Sequence, residues 1–405
     1  MGAEVTDAVE GPLVGVTVVD LGQIYNAPYA TLLMALGGAD VIKVEPPGGE
    51  NLRGRGRVAG AGAPFAMLNS NKRAVTLNLK EPDGVELLRA MAARADVLVE
   101  NYRPGVMDRL GVGADLLLAD NPRLVYASGS GYGSWGPYRD LPAMDLTVQA
   151  MSGVMAITGF PDREPVKAGN AIGDFLGGIH LYGAIVTALL RRMRTGRGGK
   201  VEVAMLDAVY PSLMSSLGLY FGRRDDGTGV TRTGNHHSGM AEAPYNVYPA
   251  AGGSVAVICV TDDHWRSLVE AMGATELADD PRYATRVERV ANMTEVDEVV
   301  GRWLEAQDRD AALAILQKHG VPCAPVREID EVVNDPHLRA RGMLREMDDP
   351  DHGKIVVPSS PLRFEGFDPD LTPSPRLGEH NDEIYGEWLG IEPDRLRSLS
   401  ERGVI

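Results

Sequence analysis

Cysteine is scarce in this sequence. Its 405 residues include two cysteines, Cys259 and Cys323, which are too few for a disulfide framework and, without other ligands, for a zinc site. Both lie in apolar segments, where a cysteine usually serves as a small buried hydrophobic residue. We therefore expect no structural disulfide and no metal centre.

Basic residues are outnumbered by acidic ones. Lysine and arginine total 40, aspartate and glutamate total 56, and the formal net charge is −16. A chain with this excess of negative charge repels phosphate backbones unless its basic residues cluster. We therefore expect no nucleic acid among its partners.

Long apolar runs are missing as well. The longest apolar stretch, around residues 179–190, is too short and too interrupted to cross a bilayer. The opening segment MGAEVTDAVEG is acidic and lacks the basic head and apolar centre of a secretory signal. These features predict a cytoplasmic protein without a membrane partner, and a hydrophobic content of 44% is enough for a sizeable core.

The sequence does contain a regular alternation of short β-branched runs and segments with helical spacing, which is typical of an α/β fold. Such βαβ units require a parallel sheet covered on both faces, so we expect a large domain with a Rossmann-like open parallel sheet. The predicted strands are residues 14–21, 39–45, 74–78, 96–100, 124–128 and 201–204. The predicted helices are residues 29–36, 83–95, 105–110, 175–194 and 206–221.

A polar, glycine-rich segment at residues 222–240 indicates a domain boundary, because the pattern changes after it. Paired strands and three helices then predict a smaller α+β domain. Beyond residue 321 the chain is rich in proline, and we expect a loosely structured tail that returns to the larger domain. The predicted divisions are 10–221 for the first part of the large domain, 222–325 for the small domain with its linker, and 326–405 for the return linker and the rest of the large domain.

Three common catalytic signatures are incomplete. Gly131, Gly133 and Gly136 fit a dinucleotide-binding pattern, but Pro137 follows them where an apolar helix is required, which argues against a nicotinamide oxidoreductase. The His236-His237 pair has no partner at metal-ligand spacing, so a solvated loop is the favoured interpretation. No G-x-S-x-G motif supports a serine nucleophile.

Asp174 lies in the segment GDFLGG, directly before the clearest helix. One interpretation is purely structural, since an aspartate at this point is a good N-cap. The other is chemical: a carboxylate at a helix N-terminus stays ionised at neutral pH and can attack an activated thioester. In that interpretation the neighbouring glycines let a substrate carbonyl approach the backbone, whose N–H groups could stabilise an oxyanion.

Several motifs in order along nearly the whole chain resemble the family III CoA-transferases, the group that includes formyl-CoA transferase, carnitine CoA-transferase and α-methylacyl-CoA racemase. The matching stretches are GVTVVDLGQIYNAPYATLLMALGGADVIKVE, LNSNKRAVTLNLK, ADVLVENYRPGVMDRLG, AIGDFLGGIHLYGAIVTALLRRMRTGRGGKVEVAML, the loop 234–245 and Gly378-Glu379-His380.

The resemblance implies that Asp174 is the catalytic nucleophile. It implies an aspartyl–acyl anhydride, then an aspartyl–CoA thioester, and finally transfer of CoA to an acceptor carboxylic acid. Each step exchanges bonds of similar energy, so neither ATP nor a metal is needed. Coenzyme A and acyl-CoA would be substrates, no cofactor would be bound permanently, and the protein would be an interlocked homodimer.

The resemblance also implies a set of residues that contact CoA, most of them near the carboxyl ends of predicted strands, where open parallel sheets bind ligands. Lys80, Arg103 and Arg109 would offset the phosphates. Asn101 is a polar amide directly after an apolar strand and needs a partner. The full implied set is Tyr25, Leu77, Asn78, Lys80, Asn101, Tyr102, Arg103, Arg109, Ala143, Met144 and Asp145.

The sequence departs from its relatives at informative positions. Tyr25 replaces a glutamine and Pro46 an arginine of formyl-CoA transferase, so the resemblance by itself does not establish a formyl or oxalate preference. The racemases have a histidine at the position of Met144 and a glutamate near Thr261. Because racemisation needs an acid and a base, these changes disfavour a racemase or isomerase. A CoA-binding protein without catalytic activity is a further alternative.

Overall fold

The computed structural model describes residues 10–55, 62–222 and 232–405. The first nine residues, and residues 223–231 of the predicted linker, lie outside the described part.

Eleven strands are present in the described residues. They are β1 (Thr17–Asp20), β2 (Asp40–Glu45), β3 (Arg73–Thr76), β4 (Val97–Glu100), β5 (Val125–Ser130), β6 (Gly199–Ala204), β7 (Tyr245–Ala250), β8 (Gly253–Ile258), β9 (Cys323–Pro325), β10 (Leu344–Asp349) and β11 (Gly353–Pro358).

The described α-helices are α1 (Asn26–Ala35), α2 (Asn51–Gly54), α3 (Ala63–Asn69), α4 (Pro82–Arg94), α5 (Val106–Arg109), α6 (Ala114–Asp120), α7 (Asp145–Ser152), α8 (Val154–Ile157), α9 (Ile172–Thr195), α10 (Met205–Val209), α11 (Met214–Gly222), α12 (Asp262–Ala271), α13 (Arg286–Ala291), α14 (Met293–Glu305), α15 (Arg309–Lys318), α16 (Ile329–Val333), α17 (Pro336–Ala340) and α18 (Pro393–Glu401). Short 3₁₀ turns occupy Tyr210–Leu213 and Thr275–Ala278, and a π-helical segment occupies Asp382–Trp388.

Six strands form one sheet in the order β3-β2-β1-β4-β5-β6, and every neighbouring pair is parallel. This confirms the predicted parallel sheet, and the order is that of a doubly wound, Rossmann-like sheet. Because the chain crosses from one side of β1 to the other, a crevice opens at the carboxyl ends of β1 and β4.

Both faces of this sheet are buried, as its apolar strands predict. On one face, alternate strand residues such as Val19 and Leu98 pack against α4 and the end of the chain. On the other face, residues such as Val18 and Val99 pack against α1 and α9.

The chain divides into two compact units. The first consists of the described residues up to 148, 170–209 and 335–405, and the second of 149–169 and the described part of 210–334. The second unit has its own apolar core around the antiparallel sheet β7-β8-β9. The expected helix 206–221 is wrong as one element: it is broken into α10, a 3₁₀ turn and α11, and Pro211 lies in the turn.

The tail after residue 326 is more ordered than its proline content predicts. It contains the antiparallel hairpin β10-β11 and ends in the π-helical segment and α18. Tyr385, Leu399 and Val404 are buried in the core on one face of the parallel sheet. Side chains of the tail also pair with the outer strand, since Ala74 N donates to His380 Nδ1 and Thr76 N to Asn381 Oδ1.

Helix α9 is longer than predicted, with 24 residues, and its length and composition would allow it to span a membrane. The expectation that no apolar segment is long enough is therefore wrong. One face of the helix, including Leu181, Ile185 and Leu189, nevertheless lies in the core beneath the sheet. This packing is that of a core helix.

Two glycines let α9 approach α1 closely. A Cβ atom at Gly178 would lie 2.6 Å from the carbonyl oxygen of Asn26, and one at Gly177 would lie 2.2 Å from Asn26 Nδ2. Gly177 and Gly178 therefore serve the packing of α9 on α1, and of the glycines near Asp174 only Gly173 is left to give a substrate carbonyl access to the backbone.

We predict opposite effects for two alanine substitutions in α9. Gly178→Ala should lower the free energy of unfolding by about 1–3 kcal/mol, because its methyl group meets backbone that cannot rotate away. Gly183→Ala is the matched control: it meets nothing within 4 Å and should raise stability by about 0.5–1 kcal/mol. Urea denaturation measures both, and equal stability of the two variants would contradict the close helix packing.

Candidate active site

A cavity of about 260 Å³ opens at the carboxyl ends of β1, β4 and β5, which is the crevice expected from the strand order. Among the described residues that line it, Asp174 is the only acidic one. The lining residues are Gln23, Ile24, Asn26, Asn51, Asn101, Tyr102, Arg103, Pro104, Gly129, Ser130, Gly131, Tyr132, Gly133, Arg139, Leu141, Ala143, Met144, Asp174 and Met205.

Asp174 belongs to the first turn of α9 but does not cap it. The helix begins at Ile172. Its N-cap residue, Ala171, makes no side-chain hydrogen bond to the first turn. The capping carboxylate comes from Asp145, whose Oδ1 accepts from Gly173 N at 2.8 Å and from Asp174 N at 3.4 Å. The predicted N-cap role of Asp174 is therefore wrong, and its own carboxylate is not needed to begin the helix.

The ionisation state predicted for Asp174 is also corrected. Burial, and then repulsion from Asp145, raise the pKa of this carboxyl from 3.8 to about 7. Desolvation disfavours the charged form more than the helix N-terminus favours it, because the favourable helix end is already occupied by a second carboxylate. Near neutral pH the group therefore exists in both protonation states.

The first wall of the cavity is a backbone loop held in an uncommon conformation. Ile24 has φ of 65°, in the left-handed region that β-branched residues rarely adopt. Next to it, Asn101 Oδ1 accepts from Gln23 N at 2.8 Å and Asn101 Nδ2 donates to Gln23 O at 2.9 Å. Both hydrogen-bonding groups of the Asn101 side chain thus hold this loop. The backbone of Gln23 is the partner that we expected for a polar amide placed directly after an apolar strand.

A buried ion pair lies behind the same loop. Lys72 Nζ is 3.0 Å from Asp20 Oδ2, at the end of β1, and both side chains are fully buried. Burial lowers the pKa of Lys72 to about 8, although Asp20 opposes this shift. Three further acceptors complete the coordination of the ammonium group: the carbonyl oxygen of Pro28, Thr31 Oγ1 and Asn69 Oδ1.

The structure brings together about half of the predicted site residues. Those that line the cavity are Asn101, Tyr102, Arg103, Ala143, Met144 and Asp174, and Asp145 contacts the Asp174 backbone. Those outside the lining are Tyr25, Leu77, Asn78, Lys80 and Arg109.

The residues outside the lining have other surroundings. Tyr25 stacks on Phe175 at 6.0 Å between ring centroids. Leu77 is buried in the core, and Asn78 Oδ1 accepts from the backbone N–H of exposed Lys80. Arg109 is exposed at the end of α5.

Sequence reasoning missed several polar residues of this site, notably Gln23, Asn26, Asn51 and Arg139. The position of Asn26 carried a weaker signal than that of Asn101: Asn101 directly follows β4, whereas Asn26 lies at the far end of the loop after β1, and both strands end at the same edge of the sheet. No local pattern marks Arg139, which lies in an irregular loop.

We predict that Asp145→Asn lowers the pKa of Asp174. The substitution removes the neighbouring charge but keeps an oxygen that can cap α9, so the helix start is preserved. Desolvation remains, and the pKa should therefore settle between 3.8 and the present value of about 7. Infrared titration of the carboxyl group, assigned by its absence in Asp174→Asn, measures this. An unchanged titration midpoint would show that Asp145 does not act on Asp174.

The chain is similar to known proteins along nearly its full length. The profile described as CoA-transferase family III matches residues 13–381. A formyl-CoA:oxalate CoA-transferase of Streptomyces avermitilis is 39% identical, covering 97% of this chain and 99% of its own. A succinyl-CoA–D-citramalate CoA-transferase of Chloroflexus aurantiacus is 37% identical, covering 97% and 98%.

Solved structures agree with the sequence matches. A CAIB/BAIF family protein from Brucella suis has a TM-score of 0.81 at 36% identity, covering 94% of this chain and 100% of its own. A hypothetical protein from Mycobacterium tuberculosis has a TM-score of 0.82 at 29% identity, covering 93% and 100%. A parallel sheet of this order, a cavity at its switch point and these matches lead to one conclusion: the chain belongs to CoA-transferase family III and is a transferase.

Proposed function

We propose that this enzyme moves coenzyme A between small carboxylic acids, with Asp174 as the covalent nucleophile. The observation that carries the proposal is a buried carboxyl group with a raised pKa in the lining of a cavity at the sheet's switch point, where the described lining residues include no other acid. A buried, perturbed acid in a ligand crevice is a candidate for chemistry rather than for packing.

The first half of the reaction releases the donor acid. The Asp174 carboxylate attacks the carbonyl carbon of an acyl-CoA, and the carbon–sulfur bond breaks. CoA leaves as a thiolate, and the acyl group stays on Asp174 as a mixed anhydride. The thiolate then attacks the aspartyl carbonyl carbon, which breaks the anhydride and releases the donor acid as its carboxylate. The enzyme now carries CoA as an aspartyl thioester.

The second half repeats these steps in reverse with the acceptor. The acceptor carboxylate attacks the aspartyl carbonyl, the thiolate leaves, and a new anhydride forms. The thiolate then attacks the acceptor acyl carbon, and Asp174 departs as a carboxylate. Each step forms one acyl bond and breaks another, with no change in oxidation state or net charge. The reaction therefore needs no oxidant, reductant or phosphoryl donor.

The electrostatics of Asp174 suit this role. A carboxylate of higher pKa is a stronger nucleophile than an ordinary aspartate, at the cost of being partly protonated near pH 7. Acylation removes its negative charge and with it the repulsion from Asp145. Burial also limits access of water, which would hydrolyse the anhydride.

The surrounding groups support small acids and a CoA thioester as substrates. The described residues that line the cavity include two cations, Arg103 and Arg139. Relatives named for oxalate and for citramalate also support small carboxylic acids as substrates.

We extend the proposal to CoA contacts by Asn101, Tyr102, Ala143 and Met144, with Lys80 and Arg109 further along the same edge of the sheet. An interlocked homodimer, the domain divisions after residues 221 and 325, and a cytoplasmic location also remain proposals.

The experiment is trapping of the covalent intermediate. The wild-type protein is incubated with a panel of acyl-CoA donors, hydroxylamine is added to convert an activated aspartyl carbonyl into a hydroxamate, and the modified residue is located by mass spectrometry. We expect modification at Asp174 and a loss of at least about 10³-fold in transfer activity in Asp174→Ala. Asp115→Asn is the matched control, because Asp115 also lies in a first helical turn but is exposed, and it should retain both activity and labelling.

Other outcomes identify the alternatives. Modification at another residue, or at none with every donor, would refute the nucleophile. Exchange of the α-proton in deuterated water without an acceptor acid would indicate an isomerase, which the non-titrating Met144 in the cavity lining disfavours. Unchanged function of Asp174→Ala with retained CoA affinity would indicate a binding protein.

A further inference from the structure

Asn26 connects the first loop of the cavity to the helix that carries Asp174. It is the first residue of α1, 3% exposed, and one of the residues that line the cavity. Its Nδ2 donates a hydrogen bond of 3.2 Å to the carbonyl oxygen of Asp174. The donated bond also fixes which end of the amide is the oxygen, because the opposite orientation would set two acceptors against each other.

The other end of this amide has no hydrogen-bond partner in the part of the chain that the structure describes. Asn26 Oδ1 is buried, and no donor among the described residues reaches it. A buried carbonyl oxygen without a hydrogen bond loses its hydration with nothing in return, so such groups are uncommon and need an explanation.

Two neighbouring elements are shaped to hold the amide in this position. A Cβ atom at Gly129, at the end of β5, would lie 2.4 Å from Asn26 Oδ1, and a Cβ atom at Gly177 would lie 2.2 Å from Nδ2. Gly129 also lines the cavity. The unpaired oxygen therefore packs against Gly129, whose backbone is itself part of the cavity lining and has no side chain to cover the oxygen.

We propose that Asn26 Oδ1 accepts a hydrogen bond from the amide N–H of the cysteamine portion of a bound acyl-CoA. This rests on the proposed function, which puts the thioester carbonyl at Asp174. In every acyl-CoA that N–H is two carbons from the sulfur, so it must fall within or next to the same small cavity when the thioester reacts. Asn26 would then contact the substrate through one end of its amide and the backbone of the nucleophile through the other.

This arrangement aligns the two reactants with each other. The substrate end places the thioester, and the Nδ2 bond places the peptide of Asp174, so a single rigid amide sets the approach of the carboxylate to the carbonyl. Alignment of this kind contributes to rate because it converts an encounter into a fixed geometry.

The test removes the hydrogen-bond donor from the substrate and the acceptor from the enzyme, separately and together. The probes are an S-acyl-N-acetylcysteamine and its analogue with an ester oxygen in place of the N–H. Single-turnover labelling of Asp174 is measured with wild type and Asn26→Ala. Wild type should react at least about tenfold faster with the amide than with the ester, which is the effect of one hydrogen bond. In Asn26→Ala this ratio should fall to near one.

Each failure has a distinct meaning. Absence of labelling of wild type by any thioester, acyl-CoA included, would refute the proposed function. Labelling of wild type at equal rates by amide and ester would overturn the Asn26 contact whether or not the variant folds. A ratio that persists in Asn26→Ala would overturn it too, since a residue with only a structural role lowers both rates alike.

Asn121→Ala is the matched control. Its side chain also bonds backbone carbonyls, at 3.0 Å to Ala92 and 3.1 Å to Ala95, but at the amino-terminal edge of the sheet. It should lose stability and keep the full amide-to-ester ratio. Loss of the ratio in this variant would show that the readout follows general destabilisation, and would remove the support for Asn26.

Discussion

The organisation of the active site depends on one unfavourable arrangement, two carboxylates at the buried start of the same helix. The Asp145 carboxylate caps the N-terminus of α9, and the Asp174 carboxylate lies in the first turn without capping the helix. The resulting repulsion and desolvation make ionisation of Asp174 costly. Acylation removes this charge, as protonation does, and this suits the nucleophilic role that we propose for Asp174.

The rest of the first unit fixes the surroundings of this group rigidly. Asn101 holds the backbone of the loop after β1, the Lys72–Asp20 ion pair lies behind that loop, and glycines bring α1 against α9. Buried ion pairs contribute little net stability when compared with apolar replacements. This pair is nevertheless tied to the start of the loop, because Asp20 Oδ1 accepts a hydrogen bond from Gly22 N at 2.8 Å.

The sequence predicted the sheet and its covering helices, because β-branched runs and helical spacing are local properties. It also directed attention to Asp174, as the aspartate before the clearest helix. It failed where the outcome depends on distant residues. The start of α9 is set by Asp145, nearly thirty positions away, and the partner of Asn101 is the backbone of Gln23 in another segment. The raised pKa follows from burial and from that second carboxylate, neither of which is visible in the spacing of the motif.

The return of the tail to the first unit has a consequence for biosynthesis. Tyr385, Leu399 and Val404 complete the core on one face of the parallel sheet, and His380 and Asn381 pair with its outermost strand. In chain order these residues follow the whole second unit, which has a core of its own. A ribosome therefore exposes the first unit, with an open strand edge and an unfinished core, until the second unit has been translated. Such an intermediate is the kind that chaperones bind, and the second unit can finish folding before the one that precedes it.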